Sequence, residues 1–227
     1  MLKKIGAIVP AAGASSRMQG QEKLFADLAG KPVLAWCIDT FEACADVVQI
    51  VVAMNDVTLP LGRDLAHRRG WKKCSFCAGG MRRQDSVAAA LSIMTDVDCV
   101  IVHDGDRPFV TAAMIEEGVS LLDATDVAVA AVTAKDTIKI VDGDEVVVRT
   151  LDRSSLRIVQ TPQVLRVETM RAAYRDIADD VTDDAMLAER LGCSVKVYEG
   201  SYENIKITTP EDLVAARVLA EHRRDRA

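Results

Sequence analysis

The stretch PAAGASSRM, residues 10–18, follows the apolar run IGAIV and sets Ala11, Ala12, Gly13, Ala14, Ser15 and Ser16 ahead of two cations, Arg17 and Lys23. Side chains this small let successive backbone N–H groups turn towards one anion, and cations at the loop's exit add charge to such a nest. The chemistry that suits this combination is phosphate binding. The spacing is neither G-x-G-x-x-G nor G-x-x-x-x-G-K-[ST], which sets aside the dinucleotide fingerprint and the P-loop. A plain surface turn with incidental charges is the competing reading of this loop taken alone. Two further stretches weigh against it. AGGMRRQDSV places Gly79 and Gly80 at an expected strand end, with Arg83 and Ser86 in the first turns of the next helix, and IVHDGDRPF puts His103, Asp104, Asp106 and Arg107 directly after a buried run. Ligands of open α/β sheets bind beyond the carboxyl ends of the strands, so three such ends imply one shared crevice.

Residues so far apart in the chain can meet only if strands deliver them to one edge. IGAIV, VVQIVVA, CVIVHD, VAVAAVT and SVKVY read as strands, while PVLAWCIDTFEACA, RRQDSVAAALSIM, TAAMIEEGVSLLDA and VETMRAAYRDIA carry apolar residues three and four apart, as helices do. The alternation predicts a mainly parallel sheet covered by helices on both faces. Pro32, Thr111 and Pro210 stand where helices should start. One segment breaks the rhythm: AKDTIKIVDGDEVVVRTLDRSSL has two β-like runs around DGD and no helix, and it predicts a hairpin arm. A hairpin has little core of its own and needs a surface to pack on, for which a second subunit is the natural candidate. Trp36 and Trp71 sit among apolar or amphipathic neighbours and read as packing groups.

Composition narrows the function classes. At 227 residues and 49% hydrophobic the chain can bury a substantial core, and its net charge of −6 is a poor basis for gripping a nucleic acid through many phosphates. The first apolar run ends at Pro10, too soon for a signal sequence, and no run approaches the roughly 18 apolar residues of a membrane span, so a soluble cytoplasmic protein is expected. The six cysteines are scattered, as reduced core cysteines are. The C-x-x-C of Cys74 and Cys77 has no second pair, and a structural role is the better reading.

Taken in order, PAAGASSRM, AGGMRRQDSV, VHDGDRPF, DRSSLRIVQTPQ, VTDDAML and ENIKITTPEDL resemble the 2-C-methyl-D-erythritol 4-phosphate cytidylyltransferases of the non-mevalonate isoprenoid pathway, from residue 5 to about 218. The resemblance implies a Rossmann-like, nucleotide-diphospho-sugar-transferase-like α/β fold. It makes residues 1–227 one nucleotidyltransferase domain with a dimerisation arm at about 134–157. It implies transfer of a cytidylyl group from CTP to a sugar-alcohol phosphate, with Mg²⁺, in a homodimer. Carried over, Arg17 and Lys23 hold the triphosphate, and Arg153 and Lys206 hold the acceptor phosphate. The base-reading positions fall on Ala11, Ala12, Gly79, Gly80 and Ser86, with Arg83 close by. Asp104 falls at the position near the substrate hydroxyls and the metal, and Arg107 and Thr182 at further substrate-side positions, the arginine matching Arg107 reaching across the dimer. Such a reaction depends on positioning and on neutralising charge, so it needs no catalytic triad, and His103 reads as a satisfied histidine rather than a general base.

The chain also departs from the family pattern. Ser15 stands for a usual glycine, Glu22 for a proline before the lysine, the loop from Arg17 to Lys23 is one residue short, and HDGDRP replaces HDAARP, which adds Asp106. Two alternatives stay open. Ribitol-5-phosphate cytidylyltransferases share fold, CTP and motif order, although AAG, DRSSL and NIKITTPEDL are closer to the methylerythritol enzymes; a catalytically silent nucleotide-binding dimer is the alternative outside the enzyme class. Some relatives are fused to a cyclodiphosphate synthase, and a single activity is expected for a chain of this length.

Overall fold

The computed structural model describes residues 3–13, 22–175 and 179–224. Chain order is β1 (Ile5–Ala11), β2 (Asp27–Leu28), β3 (Lys31–Pro32), α1 (Val33–Ala43), β4 (Val47–Met54), α2 (Leu59–Arg69), β5 (Cys74–Ala78), α3 (Arg83–Ser92), β6 (Cys99–Val102), α4 (Ala112–Leu121) and β7 (Val127–Thr133). There follow β8 (Lys139–Val141), β9 (Val147–Thr150), β10 (Arg157–Arg166), α5 (Val167–Ala173), α6 (Asp184–Arg190), β11 (Val195–Glu199) and α7 (Pro210–Arg224). Seven strands form one sheet in the order β11-β7-β10-β6-β1-β4-β5. All neighbours run parallel except β10, which is antiparallel to both β6 and β7.

The near-continuous apolar strands have partners on both faces. Ala7 and Val9 of β1 pack with Leu34, Ile38 and Phe41 of α1 and with Ile115 of α4, whereas the intervening Ile8 joins Val87, Ala90 and Leu91 of α3. This is the two-sided burial expected of a parallel sheet. Cys74 and Cys77 of β5 contact these two opposite clusters, because residues three apart on a strand face opposite ways. The C-x-x-C is therefore a packing feature, and all six cysteines are free.

Sheet register sets the geometry of the loops. Ala11 pairs with Met54 and Met54 with Ala78, so β1, β4 and β5 end level, and β6 ends beside them with Val102 opposite Ile8. The segments that leave these ends carry Ala12 and Gly13, Gly79 and Gly80, and His103 to Arg107. A third apolar cluster lies beneath them, where Leu28, Phe109 and Ile207 pack against Leu213, Ala216 and Ala220 of α7.

Several elements escape the sequence periodicity, among them α2, β5 and β10. α2 buries little beyond Gly62, Leu65 and Ala66, so no apolar stripe announces it. β5 is short and only partly buried. β10 contains Pro162, which cannot donate to a ladder, and the strand accommodates it where its register against β7 shifts between Val159 and Gln163. The segment around DGD forms the hairpin β8–β9, closed by Asp142, whose Oδ1 accepts the Asp144 and Val146 N–H groups at 3.0 and 2.9 Å. Every residue of β8 and β9 is exposed.

Candidate functional site

A cavity of about 220 Å³ opens where the strand ends meet, lined by Pro10 to Gly13, Lys23, Leu24, Gly80 to Arg83, Ser86, Asp104, Asp106 and Lys206. Its floor admits no larger side chains. A Cβ on Gly79 would stand 2.4 Å from the Ala12 Cβ and 2.8 Å from the Ser86 Oγ, and one on Gly80 would stand 2.3 Å from the Asp85 Cβ. Ser86 fixes this approach by accepting the Gly80 N–H at 3.1 Å. Among the described lining residues four are cations, Lys23, Arg82, Arg83 and Lys206, and two are carboxylates, Asp104 and Asp106, so the lining of this hollow carries more positive than negative groups in a chain that is acidic as a whole. A larger cavity of about 830 Å³, lined by Trp36, Val110, Ile115 and other residues of α1 and α4, contains none of the groups expected to do chemistry.

Asp104 is the centre of the charge arrangement. Its Oδ1 lies 3.0 Å from the Arg83 Nε, and its Oδ2 lies 2.9 Å from the Lys206 Nζ and 3.6 Å from the Arg107 Nε. Burial alone would raise the pKa of this carboxyl group, but Arg83, Lys206 and Arg107 outweigh it and hold the group well below the usual carboxylate range. Arg83 reaches past Asp104 to the fully buried Asp184, 2.8 Å from its Nη1, and the Tyr174 hydroxyl donates to the other oxygen of Asp184. Burial dominates at Asp184 and raises its pKa despite Arg83. The N-terminus of α6 is fixed by Gln163, whose Oε1 accepts the Asp184 and Ala185 N–H groups at 3.1 and 2.9 Å.

His103 is buried and fully engaged. Its Nε2 lies 2.9 Å from the Arg107 carbonyl oxygen, which can only accept, so Nε2 carries the proton. Nδ1 then accepts from the Thr161 hydroxyl at 3.1 Å, and that hydroxyl accepts the Asp104 N–H at 3.0 Å. The histidine thus fixes the backbone that carries Asp104 and Arg107 and has no nitrogen turned to a substrate. Burial pushes its pKa down to about 4. A second ion pair, 2.5 Å between the Lys23 Nζ and the Asp106 Oδ2, lies in the same cavity.

The structure gathers Ala11, Ala12, Gly13, Gly80, Arg83, Ser86, Asp104, Lys23 and Lys206 around one hollow, with Gly79 packed behind Ala12. Arg17, Ala14, Ser15 and Ser16 lie outside the described residues. Arg153 and Thr182 do not line the cavity: Arg153 is exposed at the base of the hairpin, donating to the Lys135 carbonyl, and the Thr182 hydroxyl faces the Met186 sulfur. Arg107, expected to reach across a dimer, is turned inward and donates to the Asn204 carbonyl of its own chain at 2.8 Å. Arg82, beside Arg83, pairs instead with Asp85 and Asp180. Asp104 does not fit the role of metal ligand, since both of its oxygens already face cations and no cluster of three metal-binding side chains exists among the described residues. Thr161, Tyr174 and Asp184 are additions to the site region. TPQ and VTDDAML contain Thr161 and Asp184, but only the folded chain brings those motifs beside Asp104.

The sheet is Rossmann-like, of the nucleotidyltransferase-like kind, and its cation-lined hollow lies beyond the parallel strand ends, where open α/β sheets bind their ligands. The sequence model of the IspD family, 2-C-methyl-D-erythritol 4-phosphate cytidylyltransferase, matches residues 5–222. A relative of that name from Dehalococcoides mccartyi is 42% identical over 218 residues, covering 96% of each chain. Among solved structures, the 4-diphosphocytidyl-2C-methyl-D-erythritol synthase of Anaerococcus prevotii superposes with a TM-score of 0.87 at 28% identity, over 97% of this chain and 100% of that one. The 2-C-methyl-D-erythritol 4-phosphate cytidylyltransferase of Thermus thermophilus gives 0.77 at 30% identity, over 96% and 99%. The chain belongs to the 2-C-methyl-D-erythritol 4-phosphate cytidylyltransferase family.

Two stability measurements check this geometry. Gly79→Ala should lower the unfolding free energy by about 1–3 kcal/mol through overpacking in denaturant titration. Gly13→Ala, whose Cβ meets nothing within 4 Å among the described residues, should leave it unchanged. For His103, the folded pKa of about 4 lies below the ordinary 6.5, so the unfolded chain takes up a proton that the folded chain refuses. Its contribution is therefore complete above about pH 6.5 and is lost as pH falls towards 4, by about 2 kcal/mol at pH 5. His103→Gln should flatten that part of the stability profile between pH 7 and 5, and an unchanged slope would show that His103 is not its source.

Proposed function

We propose that this chain transfers the cytidylyl group of CTP to 2-C-methyl-D-erythritol 4-phosphate, giving 4-diphosphocytidyl-2-C-methyl-D-erythritol and pyrophosphate in isoprenoid biosynthesis. The observation that carries the reading is the positive hollow at the ends of β1, β5 and β6 in a chain of this family. An oxygen of the acceptor phosphate attacks the α-phosphorus of CTP. As that P–O bond forms, the bond to the α–β bridging oxygen breaks, and pyrophosphate leaves with the electron pair. A phosphate monoester with a second pKa of about 6 is already ionised at neutral pH, so no side chain has to remove a proton. The work left to the protein is to hold two anions together and offset their charge.

In this reading Arg17 and Lys23 meet the triphosphate, and Lys206 meets the acceptor phosphate. The bare backbone around Ala11, Ala12, Gly79 and Gly80 lies against the cytosine nucleoside, with Ser86 and Arg83 beside it. Asp104 presents Lys206 and approaches the acceptor's hydroxyls, with Arg107 and Thr182 at the acceptor's edge. Magnesium belongs to the reading only as the counter-ion that the triphosphate brings. The exposed apolar side chains of the arm, among them Ile140, Val141, Val147 and Val148, support a homodimer formed through it. Arg153, outside its own chain's cavity at the base of that arm, then serves the cavity of the second copy. The enzyme works in the cytoplasm in this reading, and no helix among the described residues is long and apolar enough to cross a membrane.

Pyrophosphate release tests the proposal, measured with Mg²⁺ and CTP plus methylerythritol phosphate, ribitol 5-phosphate or no acceptor, and with ATP, GTP and UTP in place of CTP. Release should require CTP and methylerythritol phosphate together. Release with ribitol 5-phosphate instead would overturn the acceptor assignment, and binding of CTP without release under any condition would point to the silent module.

A further inference from the structure

The Lys23–Asp106 pair has no obvious place in the reaction. Its side chains are only 15% and 9% exposed, so both ions have been taken out of water. As a stabilising device such a pair roughly breaks even against apolar replacements. As an aid to binding it has the wrong sign, because a carboxylate in this hollow repels the phosphates that the cations attract. What it does accomplish is geometric. A lysine stem has many rotamers, and a fixed carboxylate selects one of them before any ligand arrives.

We propose that Asp106 is a positioning residue that holds the Lys23 ammonium in place for the triphosphate and, through its main chain, sets Lys23 at a fixed separation from Lys206. Its side chain takes the Lys23 ammonium at 2.5 Å, and its carbonyl oxygen accepts the N–H of Ile207 at 2.9 Å, one residue beyond Lys206. Ile207 is itself buried in the cluster under the site, and Leu24, beside Lys23, is buried in the main core, so both lysines hang from anchored backbone. The loop between the two aspartates has little freedom, since a Cβ on Gly105 would already touch Leu34 and Val9 at 3.2 Å. Asp104 holds Lys206 and Asp106 holds Lys23, so one short loop presents both lysines. The inference rests on the reading of the hollow as the cytidylyl-transfer site.

The test is a double-mutant cycle on pyrophosphate release, with Asp106→Asn, Lys23→Gln and the double variant measured at saturating and limiting CTP. Asp106→Asn should lower kcat by about 10-fold or more, the worth of one charge-assisted hydrogen bond, without raising the KM for CTP, because a repelling charge has also gone. In the Lys23→Gln background the same change should add almost nothing. Multiplicative losses, an unchanged kcat in Asp106→Asn, or a raised KM for CTP at constant kcat would overturn the inference. Should Asp106→Asn not fold by circular dichroism, Asp106→Glu, which keeps the charge and displaces it by one methylene, replaces it in the cycle with the same expected loss and the same loss of effect beside Lys23→Gln. If the unaltered protein releases no pyrophosphate, the functional reading fails; if it turns over and the variants do not couple, the positioning role alone fails.

Discussion

Asp104 can stay ionised away from water only because Arg83, Lys206 and Arg107 surround it, and most of the site follows from meeting that requirement. Each cation comes from a different stretch: Arg83 from the first turn of α3, Lys206 from the segment before α7, and Arg107 from the loop that follows β6. Drawing them onto one carboxylate closes three separate segments over the ends of the parallel strands. The chain of hydrogen bonds from the Arg107 carbonyl through His103 and Thr161 to the Asp104 N–H fixes the backbone that carries the acid. Asp184 and Tyr174 hold the far side of Arg83, so the guanidinium cannot leave Asp104 without abandoning a second buried acid.

This arrangement matches the demands of nucleotidyl transfer between two phosphates. The reactants arrive strongly anionic and already deprotonated, so the useful contribution is fixed positive charge in a small, partly dry hollow rather than a proton acceptor. The chain supplies that locally while remaining acidic overall. Its aspartates temper the field and, more to the point, restrict where the flexible cations can stand.

Much of this could be read from the sequence, for physical reasons that differ by residue. Ala11, Ala12, Gly79 and Gly80 are legible because a backbone that must lie close to something excludes bulk, and the distances at Gly79 make that exclusion visible. The strands β1, β4, β6 and β7 are legible because two-sided burial needs unbroken apolar runs. β10 is less so, because Pro162 and the polar Gln160, Thr161 and Gln163 interrupt its run, while these three polar side chains, themselves buried, find hydrogen-bond partners that only folding supplies. For the same reason the inward turn of Arg107 and the roles of Asp184 and Tyr174 had no local signal. Arg153 had a motif but no indication that its own cavity lies elsewhere.

The most direct measurement is the turnover of Asp104→Asn, an isosteric change that leaves the side chain in place and removes the charge on which Arg83, Lys206 and Arg107 converge. Pyrophosphate release should fall by about 100-fold, as expected for the loss of two charge-assisted contacts, while circular dichroism still reports the native fold. A folded Asp104→Asn protein with undiminished release would mean that the cations find their positions without this carboxylate, and the site would have to be explained from some other interaction.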